Sequence, residues 1–258
     1  MFHISDILQG YGEQNQNSIG NLMIQIGVMI NELVFFGCSH SVWDWDKLIN
    51  IPNVKFTNHA EGGSSNELIL RKIKEWVIQN QNNYEGKVLI IQFSYLNRRH
   101  LFYEPTESEF KVHGFNQIQY HNEIDDFAKD KISKYYNLWL KWFFNPKYEF
   151  DKLLLEIQLL KKIFDDNGIK YVWYLFDNIA QEEINQNISY NTIEMYNVFD
   201  ELGFIKFDDT YFCCDWAEKN KLRNCDAIDG GDKHLDHMFG RPELAKILKN
   251  NILKKLEI

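Results

Sequence analysis

Three short stretches carry the residue types that chemistry requires. The first is Asn31 to Ser41, in which the apolar run Leu33-Val34-Phe35-Phe36 leads directly into Gly37-Cys38-Ser39. Read as a buried strand ending in a tight turn, it sets the Ser39 hydroxyl just past the carboxyl end of a first strand, where open α/β sheets carry their chemistry. A serine attacks only when a base takes its proton, and an exposed strand-to-helix turn lets base and substrate reach it. The N–H groups of such a turn can hold a developing oxyanion. The same tripeptide also serves as an ordinary βα connection. Cys38 is a rival nucleophile ranked below Ser39, since nothing nearby marks a lowered thiol pKa; Ser41 is a rival hydroxyl.

The second stretch is Asn58-His59-Ala60-Glu61-Gly62-Gly63-Ser64-Ser65-Asn66. Glycine at the mouth of a helix lets a backbone N–H approach a substrate oxygen closely, and the helix dipole favours negative charge there. Ser64, Ser65 or Asn66 caps the helix whatever else the turn does. The Gly-Lys-Ser/Thr of a phosphate-binding loop is absent. The third stretch, Asp229 to Gly240, gathers Asp232, His234, Asp236 and His237. All four are potential metal ligands, but they lie in one short loop with no distant third ligand, a poor set for an ion. A polar loop over the sheet edge is the bland reading. Arg98-Arg99 could grip an anionic group; otherwise the pair is a solvated loop.

These residues need a frame. The chain has 258 residues and a 45% hydrophobic fraction, ample for a real core, and no apolar run long enough for a membrane helix. No signal peptide is evident at the N-terminus. The net charge of −9 argues against nucleic-acid binding. Four cysteines without metal-ligand spacing read as free thiols in a reducing, cytoplasmic setting.

Strand patterns at 33–36, 54–58, 88–94, 169–176 and 204–207 alternate with helical patterns at 42–49, 67–79, 125–144, 150–166, 187–202 and 244–253. On the 67–79 helix, Glu67 is placed to pair with Arg71 at i+4. The 125–144 helix shows an apolar stripe of Ile132, Tyr135, Tyr136, Trp139 and Phe143, and the 150–166 helix one that includes Ile163. Residues 102–123 show no clear period and read as an excursion over the site. The alternation predicts an α/β fold, a three-layer α/β/α sandwich with a mostly parallel, flavodoxin-like sheet. Residues 1–28 read as a loosely attached extension and 29–258 as one domain.

Serine early, a glycine turn next and Asp/His near the end is the order of the SGNH (GDSL-type) hydrolases, which this sequence resembles. Their Gly-Asp-Ser appears here as Gly37-Cys38-Ser39, and their oxyanion-hole glycine falls on Gly63. Their Gly-x-Asn-Asp block is missing after the 88–93 strand, where Asn97 stands in the place of the oxyanion donor. Their Asp-x-x-His is one residue short, as Asp232-Lys233-His234, while Gly240-Arg241-Pro242-Glu243-Leu244-Ala245 resembles their run into the last helix. The resemblance implies Ser39 as nucleophile, His234 as base and Asp232 as its partner. It implies an oxyanion hole of Ser39, Gly63 and Asn97, with His237, Arg98 and Asn66 in reserve. The activity implied is a serine esterase or acyl hydrolase cleaving a carboxylic ester of a small molecule or an acetylated carbohydrate, with no metal and no cofactor. Neither nucleic acid nor membrane is an expected partner. The alternatives are a binding module that keeps the fold without the chemistry, and a metal-assisted hydrolase built on loop 229–237.

Overall fold

A computed structural model describes residues 30–38, 41, 44–96, 98–103, 108–113, 117–120, 126–176, 192–222 and 240–255. The expected extension at 1–28 lies outside them. At the centre is β1 (Glu32–Phe36), whose Leu33 to Phe36 are fully buried. It pairs in parallel with β2 (Lys55–Asn58) on one side and β3 (Lys87–Phe93) on the other. Strand β7 (Lys170–Leu175) continues the sheet beyond β3, giving the all-parallel order β2-β1-β3-β7. Strands apolar on both faces need cover on both, and the helices supply it.

The chain steps from β1 to β2 in one direction, through α1 (Trp45–Ile49). It steps back from β2 to β3 through α2 (Asn66–Gln79), and on to β7 through α3 (Asp126–Trp142) and α4 (Pro146–Asp166). Right-handed crossovers in opposite directions put α1 on one face and α2 and α4 on the other. Helix α5 (Thr192–Leu202) packs on α4, and α7 (Gly240–Lys255) packs on α1 and β7. The result is a three-layer α/β/α sandwich with flavodoxin-like order, and the strand order reverses between β1 and β3. Near the end of α7, Lys255 lies 5.0 Å from the ring of Tyr171 at the start of β7. Helix α7 therefore begins at the opposite, carboxyl edge of the sheet, with Gly240 buried.

Several expectations are corrected. Beyond β3 lies a separate antiparallel sheet of β4 (Arg99–Tyr103), β5 (Ser108–His113) and β6 (Gln117–Tyr120), with Leu101 opposite Phe110 and Phe110 opposite Tyr120. Apolar residues alternate at 110 and 112 and at 118 and 120, a two-residue period too brief to stand out among polar neighbours. Helix α4 begins at Pro146 rather than Phe150, because the Asn145 side chain caps it at Tyr148 N (3.1 Å) and proline suits a first turn. The expected strand at 204–207 is only a fragment: Ile205 N donates to Trp173 O (3.0 Å), and Phe212 makes an isolated parallel bridge to Leu175. After it comes α6 (Cys213–Lys219), a helix the sequence reading omits.

On α3, Ile132 and Tyr136 are buried while Tyr135 faces solvent, as do Phe143 just past the helix end and Ile163 on α4. Glu67 is drawn away from Arg71 to Arg99 and Lys152. Cys38, Cys213 and Cys214 are buried and in no disulfide; Cys225 lies outside the described residues. No helix among the described residues is long and apolar enough to cross a membrane.

Candidate active site

Among the described residues, seven of the eight buried polar side chains gather at the carboxyl edge, around the point where strand order reverses: Ser41, Ser64, Ser65, Asn66, Gln92, Ser94 and Arg98. Polar groups held from water there must bond to one another, and they do so in two clusters.

The first cluster fixes the turn after β1. Gln92 interrupts the otherwise apolar β3, and its Oε1 accepts from Ser41 Oγ (2.5 Å) and from Cys38 N (3.4 Å). Its Nε2 donates to Cys38 Sγ (3.2 Å). The turn closes on itself through Ser41 N to Cys38 O (2.8 Å). Ser41 O in turn accepts from Asn58 Nδ2 (2.9 Å) and Trp45 Nε1 (3.0 Å), tying the turn to β2 and α1. A side chain at Gly37 would put its Cβ 2.6 Å from Ser41 Oγ and 2.9 Å from Gln92 Cβ, so the residue before the turn has to be glycine.

Next to Gln92 in register stands Tyr174, fully buried. Ser41 lies alongside, but its hydroxyl is given to Gln92, and Tyr174 Oη has no well-formed hydrogen bond among the described residues. Burial, and then the neighbouring Cys213, push its pKa well above the ordinary value of 10.

The second cluster joins α2 to the end of β3. Asn66 Oδ1 accepts from Ser94 N (2.7 Å), and Asn66 Nδ2 donates to Ser94 O (3.0 Å). Ser65 caps α2, its Oγ accepting from Leu68 N (3.3 Å). Arg98 is only 4% exposed, donates to Ser94 Oγ (2.9 Å) and stacks over Tyr95 at 4.3 Å. It is no solvated loop residue. Arg99 is already engaged, with Glu67, with Glu149 (2.5 Å) and with the face of Trp139 (4.1 Å).

Between the clusters runs the glycine turn. Glu61 N donates to Gly37 O (3.2 Å), and Ser64 N returns to Glu61 O (3.2 Å). Gly63 is the third residue of that four-residue turn, with φ 75°, a left-handed value that glycine adopts without strain. This turn requires glycine whether or not its N–H meets a substrate. His59 stacks on Phe36 at 5.2 Å, and burial, then the charge of Lys72, hold its pKa below 6.5.

Of the residues expected at a site, the structure brings Gly63, Asn66 and Arg98 to the carboxyl edge, with Asn66 committed to a clamp between two elements. Ser39, Asn97, Asp232, His234 and His237 lie outside the described residues, as does the whole loop 229–237. No group of three metal-ligating side chains occurs among the described residues. The sequence reading missed Gln92, Ser94 and Tyr174. Gln92 did leave a signal, as an uncharged polar residue inside a buried apolar strand.

No protein-family model matches the chain, and no curated protein matches it. Among solved structures, the chain is similar to the psychrotrophic esterase EstA from Pseudoalteromonas sp., in a form inhibited by monoethylphosphonate. That alignment has 13% identity, covers 88% of this chain and 100% of the other, and has a TM-score of 0.46. The likeness is distant in both sequence and geometry.

Proposed function

We propose that the chain is a serine ester hydrolase with Ser39 as nucleophile, His234 as its base and Asp232 orienting the imidazole. The observation that carries this reading is the concentration of buried, mutually bonded polar side chains around the turn that leads into Ser39. Burying polar groups lowers stability unless each finds a partner, so a turn held this tightly on four sides serves to hold something in place. Ser39 follows Cys38 directly in the chain, and residues 223–239 end at Gly240, where α7 opens at the same edge.

In the proposed reaction Ser39 Oγ attacks the ester carbonyl while His234 accepts its proton. The tetrahedral oxyanion forms against backbone N–H groups of Ser39 and Gly63 with Asn97, and His234 then protonates the departing alcohol. Water repeats the sequence on the acyl-enzyme. An ester of a small molecule or an acetylated sugar is the proposed substrate class.

The test is hydrolysis of short-chain nitrophenyl esters and an acetylated-sugar panel by the wild type, Ser39→Ala and His234→Ala. Each variant is expected to lose about a thousandfold or more in kcat with an unchanged circular dichroism spectrum. An activity that survives Ser39→Ala and falls to a chelator would point instead to metal-assisted chemistry on loop 229–237. No turnover of any ester would leave the binding-module reading.

A further inference from the structure

Helix α4 is apolar twice over. One face, with Phe150, Leu153, Ile157, Leu160 and Phe164, is buried in the core. On the far side a second stripe at helical spacing faces solvent: Leu155 is 57% exposed, Leu159 54% and Ile163 38%, with Tyr148 two turns earlier. From 148 to 163 the stripe runs about 22 Å. The ion pair Lys74–Glu156 (2.6 Å) draws α2 alongside, and Ile78, one turn further along α2, is 65% exposed. Together these side chains expose an apolar area on the order of 500 Å², the size of the largest patch on a typical monomer, which often marks a functional surface.

The charges on this stripe select its occupant. Lys152 stands at one end and Asp166 at the other, both with exposed side chains, and each also has a partner within the chain, Glu67 (3.2 Å) and Lys162 (2.8 Å). Each is seven residues from Leu159, and Leu155 and Ile163 are each four residues from it. Laid antiparallel about a two-fold axis at Leu159, two copies of the stripe match themselves. Leu159 meets Leu159 of the second copy, Leu155 meets Ile163 of the second copy, and Lys152 meets Asp166 of the second copy. A parallel arrangement would instead set lysine on lysine and aspartate on aspartate. Self-complementarity of this kind is what an isologous interface requires.

We propose that the outer face of α4 is a homodimer interface, on which a second copy of this chain packs its own α4 antiparallel across a two-fold axis at Leu159. The proposed nucleophile, base and orienting carboxylate take no part in it, so the two proposals stand or fall separately.

Sedimentation velocity and light scattering of the full chain over a concentration series provide the test. A species of twice the 30.8 kDa chain mass is expected. Leu159→Glu sets two carboxylates at the axis and should raise the dissociation constant about a hundredfold or more. Its spectrum and melting at monomeric concentration should match the wild type, because position 159 is exposed in the monomer. Lys152→Asp alone should weaken the dimer, and Lys152→Asp with Asp166→Lys should restore it. A single-chain mass up to about 100 μM overturns the proposal. So does a dimer indifferent to Leu159→Glu, or a double charge reversal that fails to restore what Lys152→Asp removes.

Discussion

The two edges of the parallel sheet solve the same packing problem with opposite materials. At the amino edge the polar groups are tied to partners that reach the surface: Glu32 at the start of β1, itself only 13% exposed, pairs with the well-exposed Lys55 (2.9 Å) and with Lys87 (3.9 Å), and Tyr171 at the start of β7 donates to Asp165 (3.2 Å). At the carboxyl edge the polar side chains are buried and bond to each other, around Gln92 and around Asn66. A pair with one exposed partner, as Glu32 has in Lys55, contributes little and yields easily to solvent. Buried ones hold one geometry and lower stability sharply when a single partner is lost. The amino edge thus closes the fold, while the carboxyl edge keeps a shape.

If that contrast is right, substitutions at the carboxyl edge cost far more than substitutions at the amino edge. Gly37→Ala has the largest expected effect, since its Cβ collides with both members of the Ser41–Gln92 pair; a loss of about 3 kcal/mol in urea unfolding is expected. Gln92→Leu keeps the bulk but strands Ser41 Oγ and Cys38 N, for a loss of about 2 kcal/mol. In a cycle with Ser41→Ala the two losses should fall short of additive, because both remove one bond. Ser65→Ala removes only the α2 cap and should cost about 1 kcal/mol. Lys55→Met, at the amino edge, should cost under about 1 kcal/mol at neutral pH. A cost there equal to that of Gln92→Leu would dissolve the distinction.

Acid sharpens the last comparison. Burial opposes ionisation of Glu32, but hydrogen bonds from Lys55 and Thr57 and the charges of Lys55 and Lys87 outweigh it, holding its pKa below 4.5. The folded pKa is thus depressed relative to the unfolded one. Its contribution is complete above about pH 4.5 and disappears as pH falls through the folded value. Unfolding free energies measured in urea from neutral pH downward should show this acid-side loss in the wild type and less of it in Lys55→Met.

Much of the frame is legible in the amino-acid sequence. Four of the five expected strands form close to their expected limits, three because buried parallel strands are continuous apolar runs and β2 because its residues alternate. The misses have physical causes. The strand expected at 204–207 needed a neighbour long enough to pair with and found only Trp173 and Leu175. Hydrophobicity alone points Tyr135, Phe143 and Ile163 inward, yet a helix can carry a second apolar face that the core does not use. At the site, sequence pointed to Gly63 and the region after β3. It hid Gln92 and Ser94, because their partners lie 51 residues away at Ser41 and 28 residues away at Asn66. No local pattern announces a bond between such distant residues.

The stunted fifth position of the sheet has a consequence of its own. A parallel sheet with two long open rims invites further strands, from other chains, to add on and grow toward fibrils. Here one rim is occupied by a crooked segment that offers β7 only scattered bonds and then coils into α6. The other rim, β2, is four residues long and begins with a lysine. Neither presents a straight ladder for an incoming strand to match, and the fold guards itself against this kind of runaway polymerisation.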